Sequence, residues 1–193
     1  VYATLDARTV RAENVFSVSV DDRAAAYAAA DYLLARGHRN IAVLGGRLDA
    51  ENPIALRHRG VVDAFAARSL AFPEENYLPA GFSLPAAYAA MDAALRTGFR
   101  CTAVFAMSDL MAIGAARALA DHGRSIPGDV SLIGFDGTEL SRYTLPRLTT
   151  LCQNAEAIAR ESAALLAQGL SGAPGSRHVM LQAELIEGES VRN

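Results

Sequence analysis

A chain of 193 residues can bury a real core, as one large domain or as two small lobes. Hydrophobic residues make up 51% and charged residues 20%, a globular composition, and the net charge is −3 with no cluster of basic residues. That balance makes the chain on its own a poor grip for nucleic acid, and no apolar run approaches the length of a membrane-spanning helix. No signal peptide is visible at Val1, although the native protein need not begin there.

Val1 to Leu5 is a short apolar run ending at Asp6, and a polar loop follows to Asn14. Val15 to Val20 is a strand candidate, with Asp21 and Asp22 placed to cap a helix over Arg23 to Arg36. Gly37 stops that helix. Ile41 to Leu44 predicts a buried strand ending in Gly45-Gly46, and a loop to Pro53 precedes a helix from Ile54 to Arg68, with Val61, Val62 and Phe65 facing inward. Tyr77 to Phe82 predicts a short strand. Ser83 and Pro85 start a helix with Tyr88, Met91 and Leu95 as its apolar stripe, and Gly98 ends it.

Thr102 to Met107 is another strand, Ser108 caps the next helix and Gly123 closes it. Val130 to Phe135 is unbroken and apolar, as suits a parallel strand buried on both faces, and it ends abruptly on Asp136. The segment from there through Pro146 to Gln153 has no helical period and can carry the chain from one lobe to another. A helix over Ala155 to Gln168 and an alternating strand over Val179 to Ile186 complete the series. Strand and helix alternate throughout, which predicts an α/β fold of parallel sheets with crossover helices.

Enzymatic motifs are missing. The chain has no Gly-x-Ser-x-Gly elbow and no phosphate-binding glycine loop, since Gly45-Gly46 alone is very weak. His38, His58, His122 and His178 are scattered, and Cys101 and Cys152 lack metal-ligand spacing, so no metal and no cofactor is expected. The paired Asp21-Asp22 diverges in direction and suits capping better than acid–base chemistry.

Pro-Gly-Asp-Val-Ser-Leu-Ile-Gly-Phe-Asp, then Leu-Pro-Arg-Leu-Thr-Thr and Gln153, resembles the signature near the end of bacterial LacI/GalR regulators. The resemblance runs from Leu5-Asp6 to the end, through Asp-Tyr-Leu-Leu-Ala-Arg-Gly-His-Arg-Asn-Ile-Ala-Val-Leu-Gly-Gly and Glu-Leu-Ile-Glu-Gly-Glu-Ser-Val. It implies a periplasmic-binding-protein-like (type I) fold with a parallel sheet flanked by helices. Two strands precede the first helix without a helix between them, so the chain is expected to hold a nearly complete C-terminal lobe and part of the N-terminal one. The implied division is residues 1–19 as a remnant of the N-terminal lobe, 20–150 as the C-terminal lobe, 151–181 as N-terminal-lobe helix and crossover, and 182–193 as a return to the C-terminal lobe.

The same resemblance assigns an effector site. Arg57, three residues before Gly60, matches the family's effector-binding arginine, where residue chemistry alone favours a surface arginine. Asp136 matches the family's ligand-binding aspartate at a strand's carboxyl end. Ser108 can cap a helix and contact effector, and Phe82 stands where the family has an aromatic against the effector ring. Gln153 and Asp6 match further contacts. Gly137 and Asp22 depart from the more frequent Asp and Asn of the pattern, which leaves the effector's identity open.

The function implied is the ligand-sensing part of a transcriptional regulator in the cytoplasm. It would bind a small molecule, a sugar or sugar derivative, between two lobes. It would act as a homodimer through the helix after Ser83 and the Leu140–Tyr143 segment, and reach operator DNA only through an upstream helix-turn-helix. No membrane partner is expected. With much of the first lobe missing, effector binding by this chain is expected to be weak. The alternative is a periplasmic sugar-binding protein of a transporter, and an α/β enzyme is a distant third.

Overall fold

A computed structural model describes residues 1–48, 52–172 and 175–192. They form two compact units, Val1–Asp21 with Gln153–Glu184, and Asp22–Cys152 with Leu185–Asn193. No helix among the described residues is long and apolar enough to cross a membrane.

The smaller unit is built on β1 (Tyr2–Ala3), β2 (Phe16–Val20) and β8 (Arg177–Leu181), all parallel, in the order β1-β2-β8. Helix α5 (Ala155–Leu170) packs on them. Phe16, Val18 and Val20 meet Ile158 and Leu165 in its core.

The larger unit carries a six-stranded sheet in the order β4-β3-β5-β6-β7-β9. Its strands are β3 (Ile41–Gly45), β4 (Tyr77–Pro79), β5 (Ala103–Ala106), β6 (Ser131–Asp136), β7 (Thr149–Cys152) and β9 (Glu184–Ile186). β4, β3, β5, β6 and β7 run parallel, so their carboxyl ends share one edge. Helices α1 (Asp22–Ala35) and α2 (Pro53–Ala66) pack against each other, and α3 (Leu84–Arg96) pairs with α4 (Asp109–Asp121). With helices available to cover it, the sheet can be apolar on both faces: β3 and β5 are buried along their whole length. The chain leaves β3 toward β4 on one side and comes back to β5 on the other. The gap beyond the carboxyl ends of β3 and β5 is therefore the sheet's topological switch point.

The α1–α2 crossing is close. A Cβ at Gly60 would stand 2.2 Å from the carbonyl oxygen of Arg23 and 2.8 Å from the amide of Tyr27, so only glycine lets these backbones meet. Ion pairs Arg23–Asp63 and Arg68–Asp31 flank the contact.

Several expectations need correction. Val62 is exposed, because Val61 and Phe65 share one helical face at i and i+4 while Val62 is turned about 100° away. The strand expected over Tyr77 to Phe82 stops at Pro79, which has no amide to continue a ladder. The final strand is two: β8 joins the three-stranded sheet and β9 the six-stranded one. The crossover before Gln153 holds a strand of its own, β7, whose β-branched Thr149 and Thr150 are fully buried.

Candidate functional site

The carboxyl edge of the larger sheet gathers Gly45 ending β3 with Gly46 after it, Met107-Ser108 after β5, Asp136 ending β6 and Cys152 ending β7. Arg57 lies on the second turn of α2, whose start is fixed by Asn52: its side-chain oxygen accepts from the amides of Ile54 and Ala55. The Arg57 side chain is almost fully buried, yet its charge is answered. Its Nε donates to Asp22 Oδ1 at 2.7 Å, and Asp22 is equally buried. Nη1 donates to the Met107 carbonyl at 2.6 Å, and the guanidinium carbon sits 3.6 Å from the centroid of the Phe135 ring. An arginine held on three sides is pre-organised at the switch point.

Ser108 caps α4, accepting from the Met111 amide at 3.1 Å, so its capping role is present in the fold. Phe82 is not core. It is exposed, and its ring edge covers Gly46 closely enough that a Cβ there would come within 2.9 Å. Beside it Tyr77 donates its hydroxyl to the Gly46 carbonyl, and burial pushes that phenol up to about 12. Tyr77, Pro79, Arg47 and Leu48 line an open depression on this flank.

Asp136 ends β6 at φ 111°, a region that a non-glycine residue occupies only under strain, and Gly137 follows at φ 70°. A Cβ on Gly137 would press within 2.6 Å of the Cys152 Cα, so the turn needs glycine twice over. The turn is fastened by Asp109, a fully buried carboxylate at the first residue of α4. Its Oδ2 accepts from the Thr138 amide at 2.6 Å and the Thr138 hydroxyl at 2.9 Å, and its Oδ1 accepts from the Thr150 hydroxyl at 2.6 Å. Burial raises the Asp109 pKa, and these hydrogen bonds oppose the rise.

Arg57, Ser108, Phe82 and Asp136 therefore all belong to one edge of the larger unit. Gln153 and Asp6 belong to the smaller unit. There Asp6 accepts from Arg8 through both carboxylate oxygens, and that hydrogen bonding holds its carboxyl below the usual range. Sequence reasoning missed Asp22 as the partner of Arg57, and missed Asp109 and Tyr77. Asp22 has the same signature as Asp136, a carboxylate just past a buried strand, but its partner is thirty-five positions away. Among the described residues no group of His, Cys, Asp and Glu is arranged to hold a metal ion.

The periplasmic binding protein-like domain family matches residues 30–191. MalR of Clostridium butyricum, an HTH-type transcriptional regulator, is 32% identical over 180 residues, covering 92% of this chain and 52% of its own length. PurR of Yersinia pestis (strain Pestoides F), an HTH-type transcriptional repressor, is 37% identical over 153 residues, covering 78% and 45%. A solved LacI-family transcriptional regulator from Enterococcus faecium, with bound ribose, superimposes with a TM-score of 0.84 at 29% identity, over 92% of this chain and 66% of that one. The chain belongs to the LacI family. It is the family's periplasmic-binding-protein-like effector domain, and its relatives are transcriptional regulators, not enzymes. The chain spans about half the length of the curated LacI-family relatives it matches.

Proposed function

We propose that this domain senses a sugar or sugar derivative at the carboxyl edge of its six-stranded sheet, and that the sugar's occupancy sets the operator affinity of the whole regulator. The observation that carries this is the exposed Phe82 ring on the same edge as the immobilised Arg57 and the strained Asp136. An apolar ring face suits sugar C–H groups, a guanidinium donates to hydroxyl oxygens, and a carboxylate accepts from hydroxyl protons. Ser108 adds a hydroxyl at the neighbouring strand end, and Gln153 and Asp6 are the smaller unit's candidate effector contacts. The ribose bound to the Enterococcus faecium relative supports the class of ligand.

The operator-reading segment, in this reading, belongs to the part of the regulator that this chain does not span, and the whole protein works in the cytoplasm. A coupling of about 1–3 kcal/mol between effector and operator would change DNA affinity roughly 5–150-fold. The regulator acts as a homodimer. Supporting this, Leu140, Tyr143 and Leu145 are exposed, with Leu145 almost wholly so, beside a small apolar pocket between Ile113, Ala116 and Leu148.

Calorimetry against a panel of sugars tests the site. Binding that disappears with Phe82→Ala and Asp136→Ala, while the circular dichroism stays unchanged, is the expected result. Binding that survives both substitutions refutes it.

A further inference from the structure

We propose that the segment from Asp136 to Leu145 couples effector binding to dimerisation, with Asp109 and Thr138 as its positioning residues, so that each event strengthens the other. The inference rests on two readings given above, that the effector binds at the Asp136 edge and that the chain dimerises through the exposed Leu140, Tyr143 and Leu145. Those three residues lie no more than nine positions from Asp136, and an unbroken series of hydrogen bonds joins the two ends. The Gly137 amide donates to the Thr150 hydroxyl, and that hydroxyl donates to Asp109 Oδ1. Asp109 Oδ2 accepts from the Thr138 amide and hydroxyl. The Thr138 carbonyl accepts from the Ser141 amide at 3.1 Å and the Ser141 hydroxyl at 2.7 Å. The Ser141 carbonyl in turn accepts from the Thr144 hydroxyl and the Leu148 amide.

Thr138 opens a 3-10 turn over Glu139–Arg142, where a threonine hydroxyl ordinarily accepts from the turn's own amides. Here it makes no such cap and donates to Asp109 at 2.9 Å. The turn that carries Leu140 and leads to Tyr143 is thus hung from Thr138, and Thr138 from a buried carboxylate. The other end supplies the element that can change. Asp136 stands at φ 111°, a strained conformation that persists only while its surroundings over-determine it. Asp109 and Thr150 hold it from one side, and the short tether to the apolar patch holds it from the other. A second copy seated on Leu140, Tyr143 and Leu145 fixes that tether. It reduces the freedom the turn must lose when an effector arrives, and so raises effector affinity. By linkage, the effector tightens the dimer by the same factor. A patch acting on its own would leave effector affinity untouched, since none of its three residues is among the groups proposed to touch the ligand.

The experiment compares the full-length regulator with its Tyr143→Glu, Leu145→Glu variant, by sedimentation and by calorimetry with ribose, glucose and cellobiose. The variant is expected to sediment as a monomer and to bind the sugar at least about fivefold more weakly than the wild-type dimer, the lower end of couplings between sites. Thr138→Val keeps the side chain's shape and removes the hydroxyl that reaches Asp109. In that background the gap should close, so that Thr138→Val alone and the triple variant bind the sugar alike. Equal sugar affinity in the wild-type dimer and the monomeric variant overturns the inference, and that comparison needs only exposed substitutions. A gap of unchanged size in the Thr138→Val background overturns the part given to Asp109 and Thr138. A variant that stays dimeric overturns the dimer reading instead. A panel in which no sugar binds the wild type, or binding indifferent to Asp136→Ala, overturns the effector-site reading.

Discussion

The Asp22–Arg57 pair makes a quantitative prediction. Both side chains are only 8% exposed and their atoms approach to 2.7 Å. Removing one partner strands a charge in a site that has little water to solvate it, at about 3–5 kcal/mol. Asp22→Ala leaves Arg57 with the Met107 carbonyl and the Phe135 face, so its loss should be about 3 kcal/mol. Arg57→Met removes the 2.7 Å ion pair of Asp22 and the donor to the Met107 carbonyl, so its loss should be about 4 kcal/mol. The double variant strands no charge and should lose only about 2 kcal/mol, mostly packing and the orphaned carbonyl. The singles would then overshoot the double by several kcal/mol. The chain has no tryptophan, so urea unfolding is best followed by far-ultraviolet circular dichroism. Single-variant losses that add to within about 0.5 kcal/mol in the double would refute the argument, because independent sites add and a buried ion pair does not.

Three further outcomes are expected. Gly137→Ala combines a φ of 70° with a Cβ pressed against the Cys152 backbone, and should lower stability by about 2–3 kcal/mol, a drop of several degrees in Tm by thermal scanning; an unchanged Tm would mean the turn has another accessible geometry. His38 is buried between the Thr102 and Ser131 hydroxyls, and burial lowers its pKa from 6.5 to about 4. The unfolded chain thus binds more protons between those values, so stability present above pH 6.5 is lost as pH falls toward 4, by roughly 3 kcal/mol, and His38→Gln should flatten that slope in pH-dependent unfolding. Leu145→Glu with Tyr143→Glu places charge on the exposed apolar patch and should shift sedimentation of the full-length regulator toward monomer with Tm nearly unchanged; an unchanged dimer places the interface elsewhere.

How much of this was legible depends on the range over which the deciding interaction acts. The strands at Ile41–Gly45 and Ser131–Asp136 stand out in sequence because burial on both faces demands an unbroken apolar run. The caps Ser108 and Ser83 are local, each accepting an amide three residues on. β7 was hidden because four residues of mixed polarity give no usable period, and its neighbours in the sheet, not its composition, make it a strand. Val62 reads as inward in sequence because three apolar residues fall close together, although only two of them can share a face. The family signature singled out Arg57 and Asp136, which the structure places at the same edge of the larger sheet. It could not reveal Asp22 beside Arg57, because that pairing depends on two helices meeting closely at Gly60.

Two buried carboxylates explain the architecture of the edge better than the residues that face outward. Asp22 fixes Arg57, and Asp109 fixes the turn that presents Asp136, through three short hydrogen bonds to Thr138 and Thr150. Neither arrangement is the cheapest way to fill space, since burying a carboxylate is unfavourable unless its oxygens are matched, and the raised pKa of Asp109 records that tension. Each is matched by donors from a different element: α2 for Asp22, and the residues after β6 and on β7 for Asp109. The site's polar groups are therefore set by the fold's long-range packing before any ligand arrives. If the effector binds at this edge as proposed, it meets a fixed pattern of donors and acceptors rather than groups that must first be ordered.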